Sequence, residues 1–501
     1  MILSALTKSA MAVALLPLDR ASSLSAVGYM RHDRESLFTT SNHVRTFDST
    51  NFGAALNDTD TVWLVDFYSP WCPHCRRFAP QLEQLANWYS DVEYVQFGAV
   101  DCTKQNEICE QEGIYSYPGV KMYHVPPEAK EGIAMPHEEN AYAKDVATWM
   151  EETMKQHKMQ PGINLDKVHP AHTALSDDPK KKELKFGDPV KPSFHDQSLE
   201  IYRKRLHDAG STVLLTVEEG FFIGATVLEG ERYEAAVTWL RALAVGFSMK
   251  ENRDALAMLV NELKQRQRWK LADWKAVVGR WKATVNVMSY PVNLFADKDD
   301  LVLCTTSTCG LWTLFHILTA SDFESHSRRE EWQASEIMSA LCLVVKYFFG
   351  CEECKRHFLK TNTDKFIRML ALRDGGGPDA LTLWMWVMHN KVNERLSKSM
   401  WPTKRSCPQC YIISDQPLSL DPVMLNEQDI AAYVRSVYNF EDKLYKFDDK
   451  LEMNQKQANV AFSRRSMATL ALLVAILVVF FRLFRHRLSK IRVSKGSDHI
   501  A

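Results

Sequence analysis

The sequence predicts a multidomain chain: an α/β domain, two all-α helical bundles and one transmembrane helix. Three observations carry this. The chain has 501 residues, 46% of them apolar, more than one core normally holds at roughly 100–200 residues per domain. The apolar period changes along it, from β-branched runs alternating with helical spacing to helical spacing alone. Near the C-terminus, MATLALLVAILVVFF (Met467 to Phe481) is an uninterrupted uncharged run.

Composition narrows the function classes. Lys plus Arg (61) and Asp plus Glu (62) nearly cancel, which argues against a nucleic-acid binder and against an acidic tail. Charged residues at 25% and aromatics at 11% exclude a largely disordered chain. Eleven cysteines are present, at 72, 75, 102, 109, 304, 309, 342, 351, 354, 407 and 410. All but Cys342 fall into close pairs, three of them CxxC, so redox chemistry or metal binding is the question.

Residues 1–26 hold Lys8, the apolar run AMAVALLPL and small residues from Ala21 to Ala26, the pattern of a signal peptide. An α/β domain follows over 42–155. Val62 to Tyr68 suits a buried strand, and Phe78, Leu82, Leu85 and Trp88 recur at helical spacing after Cys72-Pro73-His74-Cys75. Val92 to Val100 reads as a second strand and Ile114 to Val125 as a third, beginning near Tyr117-Pro118. Residues 156–193 carry Pro161, Pro170, Pro179, Pro189, Pro192 and Lys180-Lys181-Lys182. As a flexible linker they would span roughly 30–37 Å; a long functional loop is the alternative.

A helical spacer occupies 194–295, with apolar stripes at Trp239 to Leu243 and Trp269 to Trp281, a strand-like run at Thr212 to Val217 and no cysteine. Residues 296–415 hold seven cysteines and helical patterns at 309–320, 331–349 and 378–397. A polar stalk, 416–465, leads to the membrane segment, with Gln428 to Asn454 read as helix or stalk. The transmembrane helix is assigned to 466–484. If Arg482 snorkels, it approaches the ~17–25 residues a bilayer needs; a buried soluble helix is the alternative. The basic tail, 485–501, marks the cytoplasmic side and puts the preceding domains in a lumen or outside. Asn57-Asp58-Thr59 is a glycosylation sequon. Together these point to a single-pass glycoprotein of the secretory pathway (endoplasmic reticulum, Golgi or cell surface), where disulfides persist.

A CxxC at the end of a buried strand, opening a helix, places its first cysteine where unsatisfied N–H groups favour thiolate. Cys72 is then the nucleophile and Cys75 the resolving thiol. A protonated His74 would further favour the Cys72 thiolate. Asp66 is a candidate proton shuttle for Cys75, with a structural role as the alternative. The segment LVDFYSPWCPHCRRFAP resembles the active site of thioredoxin-fold protein disulfide isomerases. That resemblance implies a cis Pro118 beside the disulfide and sets a zinc half-site behind redox use. Cys102 and Cys109 look like a structural loop disulfide of the same domain.

Cys351-Glu352-Glu353-Cys354 follows the apolar helix Ile337 to Phe349. Trp386, His389, Asn390 and Asn393 fall on one helix face, and Trp312 and His316 repeat the spacing. Such faces suit a planar ring system with a polar edge, although either alone would be ordinary core packing. The stretch Cys309-Gly310-Leu311-Trp312 to His316, then CEECKRHF, HNKVNERL, Lys398 and Trp401, resembles the Erv/ALR flavin-dependent sulfhydryl oxidases. By that resemblance FAD is contacted by Trp312, His316, Glu353, His357, the run Trp386 to Asn393 (with His389, Asn390 and Val392), Lys398 and Trp401. The resemblance also implies a structural disulfide between Cys304 and Cys309. Thr305 stands where relatives carry Arg.

The combination resembles quiescin sulfhydryl oxidases of the single-thioredoxin plant and protist type, whose spacer is a degenerate Erv-like bundle. Cys407-Pro408-Gln409-Cys410 matches their distal pair, structural or auxiliary. A four-cysteine zinc site with Cys351 and Cys354 would need 52 intervening residues, above the usual ~15–20, and no metal is expected. Cys342 reads as a buried thiol.

The expected function is an FAD-dependent thiol oxidase. Electrons from reduced protein dithiols pass through Cys72–Cys75 and Cys351–Cys354 to FAD and oxygen, giving hydrogen peroxide. A membrane-anchored disulfide isomerase without flavin chemistry and a non-enzymatic tethered chaperone are the alternatives. The Erv-like spacer occupying the usual dimer face predicts a monomer.

Overall fold

Val62–Tyr68 buries all seven of its residues, as a strand covered on both faces must. In the computed structural model this strand, β2, lies centrally in a five-stranded sheet. The structure describes residues 36–129, 131–136, 142–166, 168, 199–287, 304, 306–321, 334–363, 379–412, 425–439, 441 and 443–444. The expected signal peptide, most of the expected linker, Thr305, the 466–484 segment and the basic tail lie outside these residues. Among the described residues no helix is long and apolar enough to cross a membrane.

The sheet order is β1 (Val44–Phe47), β3 (Val95–Asp101), β2, β4 (Gly119–Tyr123), β5 (Ile133–Ala134). β3 runs parallel to both β1 and β2, and β4 antiparallel to β2. Register pairs Asp66 with Ala99 on one side and Val120 on the other. Helices α1 (Phe52–Leu56), α2 (Pro73–Trp88), α3 (Asn106–Gln111) and α4 (Ala143–Gln156) complete this domain. α2 buries Phe78, Leu82 and Leu85, the predicted stripe, and packs against α4.

Both later strands are shorter than expected. Val92 donates its N–H to Tyr89 O in a turn, so β3 starts at Val95. Pro118 has no N–H to give a ladder, so β4 starts at Gly119.

The spacer is helical: α5 (Leu199–Glu218), α6 (Gly230–Gly246), α7 (Lys250–Leu263) and α8 (Leu271–Val287). A two-residue pair, β6 (Val227–Leu228) with β7 (Trp269–Lys270), clips it together. The strand-like run Thr212 to Val217 is corrected: it lies inside α5. Thr212 and Thr216 turn their hydroxyls back onto the carbonyls of Asp208 and Thr212, both at 2.9 Å. Bundle packing over twenty residues overrides a local β preference.

The cysteine-rich region contributes α9 (Ser307–Ala320), α10 (Ala334–Phe348), α11 (Glu352–Thr361), α12 (Ala380–Arg395) and α13 (Glu427–Tyr438). α9 packs on α5 and α10 on α6, with Trp239 edge-on to Phe315 and Phe221 against Phe348. α13, read from the sequence as helix or stalk, belongs to the bundle. It buries Ile430, Val434, Val437 and Tyr438, and Arg205 on α5 donates to Val437 O at 3.1 Å.

Candidate active site

The first CxxC sits where strand hands over to helix. Cys72 is the N-cap of α2 in extended conformation, with Pro73 at the first helical position. Pro is pre-organised there because it has no N–H to leave unsatisfied. Cys72 is 3% exposed and Cys75 fully buried. Hydrogen bonding from the Cys75 thiol lowers the Cys72 pKa; burial opposes it, and the N–H groups of Cys75 and His74 and the Arg77 charge assist. Burial pushes Cys75 well up, with Cys72 and Asp66 adding to the rise. The pair is thus divided into an attacking thiolate and a protonated resolving thiol.

Asp66 reaches this centre from β2. It is fully buried, and neither carboxyl oxygen has a hydrogen-bond partner. Burial first, and the Cys72 charge second, raise its pKa well above the carboxylate range. A carboxyl so placed can hold a proton beside Cys75. The Tyr117–Pro118 peptide is cis, and the Cys72 thiol points at Tyr117 O, 3.7 Å away. Cys102 and Cys109 are joined by a disulfide that closes onto α3.

The second CxxC opens α11 in the same manner. Cys351 is the N-cap, its Sγ accepts the Cys354 N–H at 3.2 Å, and the two cysteines are disulfide-bonded. The two centres face each other. Tyr117 N donates to Gly350 O at 2.7 Å, the residue just before Cys351. Ser307 Oγ donates to Trp71 O at 3.0 Å, and His74 Nε2 lies 3.9 Å from Cys354 Sγ. The thiol and imidazole atoms of His74, Cys351 and Cys354 all fall within 4.8 Å of one another. Behind this contact, Asn106 Nδ2 donates to Phe222 O at 2.8 Å and Thr226 Oγ1 to Glu110 Oε2 at 2.5 Å.

A ring cluster lies deeper in the bundle. Trp312 and His389 stack at 4.3 Å, His316 and Tyr438 at 4.7 Å. His316 Nε2 and His389 Nδ1 are 2.9 Å apart. Burial pushes His316 well below the usual imidazole range, and burial with the Lys398 charge lowers His389 to about 3. Both imidazoles are therefore neutral near pH 7, one donating to the other. Asn390 spends its amide on Trp401, giving a hydrogen to its carbonyl and taking one from its N–H, while Trp386 Nε1 donates to the same carbonyl. Glu353 pairs with Arg356 and His357 along α11. Val392 and Asn393 are half-buried and Lys398 is exposed.

Cys304 and Cys309 are disulfide-bonded at the start of α9, and Cys304 N donates to Asp208 Oδ2. Cys407 and Cys410 form a fully buried disulfide, and Cys410 O accepts from Asn426, the N-cap of α13. The pair thus secures the turn between the Trp401 segment and α13. Cys342 is buried outside the four disulfides.

Comparison with known proteins separates the two halves. The Thioredoxin family model matches residues 43–147 and the Erv1 / Alr family model residues 309–411. This chain carries a thioredoxin domain and an Erv/ALR domain. Sulfhydryl oxidase 1 of Oryza sativa subsp. japonica is 24% identical over 398 residues, 73% of this chain and 71% of that protein. Sulfhydryl oxidase 1 of Arabidopsis thaliana is 22% identical, over 74% of this chain and 69% of its own length. The human Sulfhydryl oxidase 1 is 31% identical over 40% of this chain and 27% of that protein.

The Erv/ALR ring cluster fits a flavin on an observation independent of those relatives. His316 Nδ1 is buried and has no hydrogen-bond partner, a costly state that a ligand's polar edge would relieve. Sequence reasoning did not find the groups that join the domains. Tyr117 N and Gly350 O are main-chain atoms without a side-chain signal, and Ser307 and Asn106 are common polar residues. Tyr438 carried a signal, lying at helical spacing from Ile430 and Val434.

Proposed function

We propose that this chain is a thiol oxidase that inserts disulfides into reduced protein dithiols, with oxygen as final acceptor and hydrogen peroxide as product. The observation that carries the relay is the main-chain bond from Tyr117 N to Gly350 O. It presents Cys351 to the thioredoxin domain as an extended peptide beside Pro118.

A client thiolate attacks the Cys72–Cys75 disulfide at Cys72, and the second client thiol resolves the mixed disulfide. The client leaves oxidised and the pair is reduced. After docking, the Cys72 thiolate attacks Cys351 Sγ, the Cys351–Cys354 bond breaks, and the electron pair goes to Cys354. Cys75, its proton passed to Asp66, attacks Cys72 and frees Cys351. Trp312, His316, His389 and Trp401 would hold FAD, which when bound takes the electron pair from the Cys351–Cys354 dithiol and delivers it to oxygen. The neutral imidazoles shape its polar edge, and the surrounding rings exclude water.

Cys72 is covered when docked, so clients are met undocked. The 156–193 linker keeps the partners at an effective concentration of ~mM. The apolar 466–484 run anchors the chain with its catalytic domains in the lumen of the secretory pathway. The α5–α9 packing supports a monomer.

A visible spectrum and an oxygen-electrode trace with dithiothreitol test the reading. Purified protein should be yellow and consume oxygen. Cys72→Ser should abolish oxidation of protein thiols and spare that of a small dithiol acting at Cys351–Cys354. Colourless protein with isomerase activity overturns the oxidase, and equal survival of both activities overturns the relay.

A further inference from the structure

The internal exchange has a leaving group, Cys354, and the geometry around it is asymmetric. The helix-end amide that supports a thiolate in a CxxC serves Cys351: Cys354 N–H points at Cys351 Sγ, 3.2 Å away. Cys354, three residues into α11, does not share that support, although the rate of disulfide exchange depends on the leaving thiol's pKa.

The missing donor comes from the other domain. Arg77 Nη2 lies 2.9 Å from His74 Nδ1. A guanidinium only donates, so Nδ1 accepts and the neutral ring carries its hydrogen on Nε2. That nitrogen is 3.9 Å from Cys354 Sγ.

We propose that His74 is a catalytic residue acting across the domain interface: its Nε2–H stabilises the charge that develops on Cys354 when Cys72 attacks Cys351. The Cys72–Cys351 bond forms, the Cys351–Cys354 bond breaks, and the electron pair rests on Cys354 Sγ under the Nε2–H. The neutral ring keeps that hydrogen and holds the thiolate by hydrogen bonding. The donor is present only when the domains are docked, so the disulfide opens more readily towards the thioredoxin domain than towards stray thiols. This inference rests on the relay described above. Polar groups nearby include Arg77 on the thioredoxin side and, on α11, the pairs Glu352 with Lys355 and Glu353 with Arg356 and His357.

The test uses the full chain with Cys72→Ser and Cys75→Ser, which removes any effect of His74 on Cys72. With Cys351–Cys354 reduced anaerobically, iodoacetamide alkylation of Cys354 against pH, read by peptide mass mapping, reports its thiolate. Adding His74→Phe should lower Cys354 reactivity at pH 7 about tenfold, the size of one charge-assisted hydrogen bond. His74→Gln, which keeps an N–H at similar reach, should stay within about twofold. An unchanged profile in His74→Phe, or an equal fall in both variants, overturns the proposal. A Cys75→Ser chain is examined alongside for the Cys72–Cys351 mixed disulfide. Its presence supports the relay whatever the alkylation result; its absence overturns the relay and the role of His74 with it.

Discussion

Asp66 has one role that costs stability and another that supplies chemistry. Its folded pKa is raised, because burial disfavours the carboxylate. Below the unfolded value near 3.8 both states hold the proton and nothing is lost. As pH rises above it, the unfolded chain releases the proton more readily, and the folded state loses stability up to the folded pKa. Asp66→Asn should therefore leave stability unchanged at acid pH and raise it by roughly 1–3 kcal/mol at pH 7, read by denaturant unfolding. The same variant should slow reoxidation of Cys72–Cys75 about tenfold, since Cys75 loses its proton acceptor. The imidazoles run the opposite way. His389 falls to about 3, so below its unfolded value of 6.5 the unfolded state binds the extra proton. Stability present above pH 6.5 is lost as pH falls towards 3, at about 1.4 kcal/mol per pH unit for each such group. His389→Phe should flatten that slope in pH-dependent thermal unfolding.

The cysteine-bearing turns were legible because their chemistry needs fixed spacing. The CxxC after Val62–Tyr68 and the one before KRHF could be read directly, and both open helices. The stripe of α2 was equally plain. What escaped were elements decided by partners far away in sequence. The run Thr212–Val217 reads as strand until α9 is laid along it, and α13 reads equally as helix or stalk until its buried face meets α5. The docking surface is another such case. The segment after α5 turns at Gly224 with φ +64°, and a Cβ there would stand 2.5 Å from Ile114 O. A side chain at this point meets both a backbone penalty and the opposing main chain. Gly224→Val should slow Cys72-to-Cys351 transfer tenfold or more in single-turnover kinetics, while the thioredoxin domain's exchange with client dithiols stays within about twofold. Equal slowing of both reactions would contradict an interdomain role for this turn.

In the proposed relay the molecule divides one oxidation between a thioredoxin domain that meets clients and an Erv/ALR domain that accepts the electrons. Family identity and the order of the stations could be taken from the sequence, since each station has its own motif. Their closed arrangement could not, because main-chain atoms and small polar side chains make it. That arrangement also governs chemical wear. Each turnover is expected to release hydrogen peroxide in a molecule that also carries a lowered-pKa thiol, the group most prone to stepwise conversion to sulfenic and then irreversible sulfinic acid. Docked, Cys72 is 3% exposed and shielded from that attack. In this arrangement the Cys72 sulfur is shielded, so its oxidation is expected to follow the fraction of time the domains spend apart. Under prolonged turnover, Gly224→Val should accumulate Cys72 sulfinic acid several-fold faster per peroxide formed than the parent chain, measured by intact-peptide mass.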